Sequence, residues 1–264
     1  MQQAKDFLEE SRDVAALISY LDETALQQKG DFKDWSIQDI IGHLYFWNHM
    51  ALLSLTDGEG FQREFAPLAE YMLAGKDLKT YERESLSSLS GVDLVAAWRA
   101  QFEDTAKAYM QADPSQRCVW AGPSMSARSS ISARQMETWS HAQAIYDVLG
   151  KQRVDTDRIR NIVILGINTF GWSFQVRGEA VPEAKPYLEL LAPSGEVWGF
   201  NEPSEENLVR GAATDFAQVV TQTRNIADTT LEMVGDVAQT WMSNAQCFAG
   251  GPVKPPAQGQ RYTH

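Results

Sequence analysis

The chain has 264 residues, of which 44% are hydrophobic and 10% aromatic, so it can bury a substantial core and is predicted to be globular. Its 23 basic and 35 acidic residues give a formal charge of −12, which argues against a nucleic-acid partner because phosphate binding needs the opposite sign. Two cysteines are too few for a disulfide framework. We see no N-terminal secretion signal and no apolar segment long enough to span a membrane, so a cytoplasmic location is expected.

Apolar residues at helical spacing predict the first elements of the chain. Between residues 4 and 21 they recur every three to four positions, which indicates an amphipathic helix. Ser36 and Asp39 have the spacing of a capping box, so a second long helix is predicted to begin near residue 37. Glycine and proline interrupt residues 57–91, where we expect short helices and a loop.

A third long helix is predicted from Val92 to Asp113, and a fourth follows after a crossover loop over residues 114–131. Ser132 and Gln135 have the spacing of a second capping box, and Gly150 is a typical residue to end the helix. Four principal helices joined by one long crossover predict a bundle, which we assign to residues 1–152.

The polar segment 151–158 predicts a domain boundary, so residues 153–264 are assigned to a second, smaller domain. After one short helix, the alternating segment Trp172–Arg177 is expected to be a strand. Residues 187–192 and 196–200 predict two strands of a small antiparallel sheet, and Val209 is expected on another. Helices are predicted over 212–224 and 228–244, and the tail from Gly250 is expected to be loose or strapped down. The predicted fold class is α+β.

Glu137 and His141 are four residues apart on the predicted fourth helix, which places both side chains on one face within reach of a common ion. A solvated acid–base pair is the competing interpretation, since such pairs arise often by chance. A histidine from the second helix could complete a His₂Glu set across a bundle core. For zinc, that set leaves a fourth position for water or substrate.

The second helix carries two candidates for this third ligand, His43 and His49, and helical periodicity does not distinguish them. Asp39 lies one turn before His43 and could fix the tautomer of its imidazole. The remaining histidine, His264, is terminal and expected to lie in solvent.

Two segments, Trp35–Leu44 and Arg134–His141, resemble the metal-binding N-terminal domain of mycothiol-dependent maleylpyruvate isomerases, within the DinB-like superfamily of four-helix metal bundles. The resemblance implies a divalent metal, usually zinc, held by His43, Glu137 and His141 with water completing the shell. It leaves His49 as a structural or surface residue. Many relatives have an acidic residue three positions after the last histidine, where this chain has Ala144.

Segments of the second half are similar to a domain named for wyosine base formation, which occurs fused to this bundle in a bacterial family. They are Gly171–Gly178, Ala192–Trp198, Gly211–Phe216, the segment around Arg224, and Trp241–Gly250. In the maleylpyruvate isomerases, a C-terminal α+β domain of sterol-carrier-like shape contributes an arginine that activity needs. The resemblance therefore implies Arg224, or Arg177 on the predicted strand, as a catalytic residue.

The first hypothesis is a cytoplasmic metalloenzyme, an isomerase or thiol transferase, that acts on a small carboxylate or thiol-containing substrate with a low-molecular-weight thiol as cofactor. The metal would act as a Lewis acid or activate a thiolate or water, and an arginine would bind the carboxylate. The second is a metal-containing small-molecule-binding or regulatory protein without turnover. The third is an accessory to RNA modification, which the acidic charge opposes. A homodimer is left open.

Overall fold

The computed structural model describes residues 1–261, so His264 lies outside the described residues. The chain divides into two compact units, Met1–Val148 and a second that begins at Leu149. Helices and small sheets are both present, in agreement with the mixed class predicted from the sequence. Within residues 1–261, no helix has both the length and the apolar character that crossing a bilayer requires.

The first unit is built from seven helices and one short hairpin among its described residues. The helices are α1 (Gln2–Leu17), α2 (Glu23–Leu26), α3 (Ile37–Thr56), α4 (Gly58–Leu73), α5 (Leu78–Ser85), α6 (Gly91–Gln111) and α7 (Ala127–Val148). The antiparallel hairpin is formed by β1 (Arg117–Cys118) and β2 (Met125–Ser126). Helices α1 and α3 each pack against α6 and α7, and α4 and α5 pack on α3.

The interior of this unit is closed by large side chains from the packed faces of α1, α3, α6 and α7. Those that are fully or almost fully buried include Phe7, Ile40, Leu44, Trp98, Phe102, Ile131 and Trp139. Burying a side chain of this size contributes about 1.5–3 kcal/mol. The four helices are therefore held in place by apolar burial, which fixes the positions of the polar side chains they carry.

The start of α3 agrees with the predicted capping box. The Ser36 hydroxyl accepts a hydrogen bond from the Asp39 N–H at 3.1 Å, and the Asp39 carboxylate accepts one from the Ser36 N–H at 2.9 Å. Two backbone donors at the helix end are thereby satisfied. This defines where α3 begins and hence which of its residues face the interior.

Two boundaries in the first unit differ from the sequence-based expectation. Gly58 and Gly60 lie in the first turn of the 16-residue helix α4, which Asp57 caps, and do not break it. Pro67 lies inside that helix at an exposed position, although proline lacks the N–H that would donate within the helix. Helix α7 begins at Ala127, before the predicted capping box at Ser132, because the Ser126 hydroxyl already accepts from the N–H of Ser129.

The second unit combines short helices with a four-stranded sheet. Its helices are α8 (Arg160–Asn168), α9 (Phe170–Gln175), α10 (Ala213–Val220) and α11 (Asp236–Asn244). Its strands are β3 (Tyr187–Leu191), β4 (Val197–Phe200), β5 (Leu208–Ala212) and β6 (Glu232–Val234), and its two 3₁₀ turns are Asp157–Ile159 and Ile226–Asp228. Helix α10 packs on β3 and β5 and also contacts α8, while α9 packs against α11.

The expectation of an antiparallel sheet is wrong at one pairing. The strand order is β4-β3-β5-β6, in which β3 pairs antiparallel with β4 but parallel with β5. After the β3–β4 hairpin, the chain crosses to the far side of β3 before β5 begins, so β5 runs in the direction of β3. Strand β6 also occupies part of the segment 228–244 that was expected to be helical throughout.

The segment Trp172–Arg177 is not a strand, because Phe170–Gln175 is helix α9. Phe170 and Phe174 are four residues apart, both are buried, and their ring centroids are 5.1 Å apart. Six residues of alternation fit a short helix as well as a strand, and the helical pair decides the outcome. Within the described residues after Gly250, the tail is held at Val253, whose carbonyl oxygen accepts hydrogen bonds from Arg177 and Gln222.

Candidate metal centre

Three side chains from two helices converge inside the first unit. His43 comes from α3, and Glu137 and His141 come from α7, one turn apart. One ligand atom from each residue lies within 4.8 Å of the other two. The Oε2 atom of Glu137 is 3.2 Å from Nε2 of His141 and 3.9 Å from Nε2 of His43. The structure thus brings His43, and not His49, close to Glu137 and His141, whereas helical periodicity favoured neither histidine.

The donor set and its spacing fit a divalent metal. Two imidazoles and a carboxylate are ligands that zinc accepts, and ligand atoms about 2.0–2.1 Å from a tetrahedral ion are about 3.3–3.4 Å from one another. The 3.2 Å between Glu137 and His141 agrees with that spacing, and the 3.9 Å between Glu137 and His43 is about 0.5 Å longer. The buried Nδ1 atom of His141 has no hydrogen-bond partner among residues 1–261, and the opposite ring nitrogen, Nε2, is the one that faces Glu137.

The protonation states follow from burial and from the neighbouring charges. Burial lowers the pKa of His43, but the carboxylates of Glu82 and Glu137 outweigh it and raise that pKa to about 9. Burial lowers the pKa of His141 to about 4, and the charge of His43 acts in the same direction. Despite its burial, hydrogen bonding to both histidines holds the pKa of Glu137 well below its ordinary range. The metal-free cluster therefore holds one imidazolium, one neutral imidazole and an ionised Glu137 at neutral pH.

Glu82 contacts the centre from α5 and was not identified from the sequence. It is 3% exposed, and its Oε1 atom lies 2.9 Å from Nδ1 of His43. Asp39, which was considered as a residue that could fix the tautomer of His43, instead accepts hydrogen bonds from Arg83 and from the N–H of Ser36. The expected role of Asp39 is therefore wrong. The one available signal was the position of Glu82 midway between two leucines, at 78 and 86, on the apolar face of a charged helix.

A tight loop before α3 places two aromatic rings against the histidines. Trp35 is stacked on His141 with ring centroids 5.7 Å apart, and Phe32 meets the same imidazole edge-on at 5.1 Å. Lys33 and Asp34, which separate the two aromatic residues, have φ values of 51° and 56°. Consecutive non-glycine residues in the left-handed region are uncommon and cost energy, so the turn that directs both rings to one side is specifically stabilised.

Arg134 adds a buried positive charge one turn before Glu137. Its side chain donates to Asn48 at 3.0 Å, and its Nη2 atom is buried without a hydrogen-bond partner among the described residues. Burial lowers the pKa of Arg134, and its charge helps to keep Glu137 ionised. The residue lies in the segment that carries the family resemblance, but no local pattern distinguished it from its neighbours.

The remaining candidates lie away from this cluster or in the second unit. His49 is 2.7 Å from Glu64, and both side chains are well exposed. Arg177 follows α9 and donates to the carbonyl oxygens of Ser173 and Val253. Arg224 follows α10, is 6% exposed and donates to the carbonyl oxygen of Thr223.

The chain is similar to known proteins in both sequence and fold. The family model described as the mycothiol maleylpyruvate isomerase N-terminal domain matches residues 7–146. Two uncharacterised proteins of Mycobacterium tuberculosis, from strains CDC 1551 and H37Rv, are each 34% identical over 256 residues, which is 97% of this chain and 96% of theirs. A crystal structure of the mycothiol-dependent maleylpyruvate isomerase covers 83% of this chain and 87% of its own, with a TM-score of 0.53 and 14% identity. A histidine-to-alanine mutant of that isomerase has the same coverage, a TM-score of 0.52 and 15% identity.

Proposed function

Since the chain belongs to the family of the mycothiol maleylpyruvate isomerase N-terminal domain, we propose that it is a metal-dependent enzyme that acts on a small carboxylate or thiol-containing substrate. Isomerisation or thiol transfer is the proposed reaction type. The observation that carries the proposal is the convergence of His43, Glu137 and His141 within 4.8 Å. The similar solved structures are named as mycothiol-dependent, which favours a low-molecular-weight thiol as the second cofactor.

The proposal extends to the architecture of the two domains. We assign residues 1–152 to a DinB-like four-helix bundle of α1, α3, α6 and α7, supported by the packing of these helices on one another. We assign residues 153–264 to an α+β domain of the wyosine-base-formation type, whose mixed sheet and covering helix are compatible with a sterol-carrier-like shape. No nucleic-acid partner is proposed, because the chain carries a formal charge of −12.

In the proposed centre, a divalent metal, zinc in our assignment, would supply Lewis-acid chemistry for activating a thiol, a water molecule or a carbonyl group. His141 is suited to ligation because its low pKa keeps it neutral. Glu137 is ionised at the same pH and provides the anionic ligand. His43 must release a proton from Nε2 before that atom can act as a ligand, so loading of the site is coupled to proton release.

For the substrate carboxylate, we propose an arginine of the second domain as the catalytic partner. Arg224 and Arg177 are both retained, since a guanidinium binds a carboxylate through two parallel hydrogen bonds. Arg177 would have to release Ser173 or Val253, whose carbonyl oxygens it now contacts. Replacing each arginine by lysine keeps the charge but removes the planar guanidinium group. For the arginine that binds the substrate, the lysine variant is expected to lose much of its turnover and little of its stability.

The test combines metal analysis with a search for turnover. The purified full-length protein is expected to carry about one divalent ion per chain, which a Glu137→Ala variant loses. Metal-loaded protein is then assayed with low-molecular-weight thiols and unsaturated or keto carboxylates, with the Glu137→Ala variant as the blank. A chain without stoichiometric metal contradicts the proposal. Metal without any turnover favours the alternative of a non-catalytic small-molecule-binding protein.

A further inference from the structure

The buried carboxylate of Glu82 holds two side chains of α3 through a single oxygen atom. Its Oε1 atom is 2.9 Å from Nδ1 of His43 and 2.8 Å from the indole Nε1 of Trp47. The indole nitrogen can only donate, and the Nδ1 contact is a hydrogen bond only if this nitrogen carries the proton. The opposite ring nitrogen, Nε2, is thereby directed to Glu137.

Helix α5 reaches this position because two consecutive residues bind one face of α3. Asp39, His43 and Trp47 are four residues apart and form a stripe along that face. Arg83 binds Asp39 through Nε at 2.6 Å and through Nη2 at 2.8 Å, while Glu82 binds the other two members of the stripe. Helix α5 is therefore docked on α3 through two separate contacts, of which only that of Glu82 reaches His43.

The charges of the cluster also depend on Glu82. The side chain is 4% exposed, and an ionised carboxylate at that depth must be compensated. Glu82 and Glu137 place one carboxyl group at each ring nitrogen of His43, Glu82 at Nδ1 and Glu137 at Nε2. A metal-ligating histidine usually donates its other ring N–H to a carboxylate, which orients the ring and makes it a stronger donor.

We propose that Glu82 is a positioning residue for the metal centre, whose carboxylate holds His43 in the tautomer and orientation that present Nε2 for ligation. This inference rests on the proposed function, because it assigns Glu82 to the same centre. It adds to that function a residue 39 positions from His43 in the chain, on a helix that carries none of the three ligands. Glu82 is therefore expected to control metal affinity without itself binding the metal.

The chain offers a matched control for this role. Glu64, on α4, contacts His49 of α3 at 2.7 Å, so it makes the same type of contact to the same helix, but at the surface. The full-length protein is freed of metal with a chelator, and Zn²⁺ is titrated in competition with a chromophoric chelator. Glu82→Ala is expected to weaken Zn²⁺ binding about 10- to 100-fold. Glu82→Gln, whose amide oxygen still accepts a hydrogen bond but carries no charge, is expected to weaken it less, and Glu64→Gln not at all.

A Co²⁺ titration gives a readout that packing alone does not change. The visible ligand-field spectrum reports the geometry around the ion, and Glu82→Gln is expected to alter its band positions while Glu64→Gln leaves them as in the parent protein. If Glu82→Ala does not fold, the nearly isosteric Glu82→Gln variant decides the question on its own.

An Arg83→Ala variant separates positioning from the docking of α5. It removes the contact to Asp39 without touching His43, so it is expected to lower Tm while changing the Zn²⁺ affinity less than Glu82→Gln does. An equal or larger loss of affinity in Arg83→Ala overturns the positioning role, as does parental affinity in both Glu82 variants. If the parent protein does not bind Zn²⁺, both the proposed function and this inference are contradicted. If the parent protein binds Zn²⁺ and the Glu82 variants bind it equally well, only this inference is contradicted.

Discussion

Trp35 lies parallel to His141, with ring centroids 5.7 Å apart and planes 5° from parallel. The same indole meets the imidazole of His43 edge-on, at 5.2 Å between centroids. One side chain from the loop before α3 therefore touches both proposed imidazole ligands, although these lie on different helices. Trp35 is only 7% exposed, so its indole has little room to move. It therefore restricts the orientations that the imidazoles of His43 and His141 can adopt.

Replacing Trp35 is predicted to weaken metal binding less than the loss of a ligand does. Aromatic pairs are worth about 0.5–1.5 kcal/mol beyond burial, so Trp35→Ala should raise the Kd for Zn²⁺ about 2- to 10-fold. It should also lower the free energy of unfolding by about 3–5 kcal/mol, because it creates a cavity. Trp35→Phe keeps a ring in place and is expected to bind almost as the parent does, as measured by competition titration. Equal affinities in all three proteins would show that the stacking has no part in ligation.

His43 and His49 lie on the same helix, and only the first is predicted to matter for metal binding. At a metal concentration 100 times Kd, a bound ion stabilises the folded protein by about 2.7 kcal/mol, so Tm should rise by several degrees when metal is added to the metal-free protein. His43→Ala is expected to abolish this rise and the bound metal, whereas His49→Ala retains both. The readout is the shift on adding metal, so any loss of intrinsic stability does not affect the comparison. A metal-dependent shift that survives in His43→Ala argues against this ligand assignment.

The elements that could be predicted from the sequence are those with a local cause. Helix α3 begins where the side chains of Ser36 and Asp39 each accept a hydrogen bond from the backbone N–H of the other residue, a pattern contained within four residues. Glu137 and His141 share a face because any helix brings residues four apart together. His43 was identified through a family resemblance, since periodicity favoured neither histidine of α3.

The features that could not be predicted depend on partners far away in the chain. Glu82 binds His43 across 39 positions, and no local pattern specifies which charged residue of a short helix will be buried. The parallel pairing of β3 with β5 depends on where the chain crosses the sheet after the β3–β4 hairpin. Arg177 was expected on a strand because six alternating residues are too few to distinguish the two periods.

Asp39 is predicted to stabilise the first unit in a pH-dependent way. Burial raises the pKa of Asp39, but hydrogen bonds from Arg83 and Ser36 outweigh it and lower this pKa below its ordinary value of 3.8. As the pH falls, the unfolded chain therefore takes up a proton at Asp39 before the folded protein does. The contribution of the Asp39 carboxylate to stability is complete above pH 3.8 and is lost as the pH falls through the lower pKa of the folded state. With the exposure of Arg83 taken into account, Asp39→Asn should cost about 1 kcal/mol at pH 7 and less at pH 3.

The control for Asp39 is Asp34, which makes an ion pair with Lys29 at 2.7 Å, but at the surface. Urea unfolding of the metal-free proteins at both pH values is the measurement, and Asp34→Asn is expected to unfold as the parent does, because exposed pairs contribute little. A cost of Asp39→Asn that persists unchanged to pH 3 would show that shape, and not charge, accounts for the effect.

Gly166 is predicted to be required by the close approach of α8 to α10. A Cβ atom added there would lie 2.9 Å from Cγ2 of Val220 and 3.1 Å from Cε1 of Phe216. Overpacking of this kind costs about 1–3 kcal/mol, which exceeds the gain of about 1 kcal/mol that alanine brings to a helix interior. Gly171 of α9 is the matched control, because its added Cβ would be an ordinary 3.6 Å from Val181. Thermal unfolding should therefore give a lower Tm for Gly166→Ala and an unchanged or higher Tm for Gly171→Ala, and equal shifts in both variants would contradict the close contact between α8 and α10.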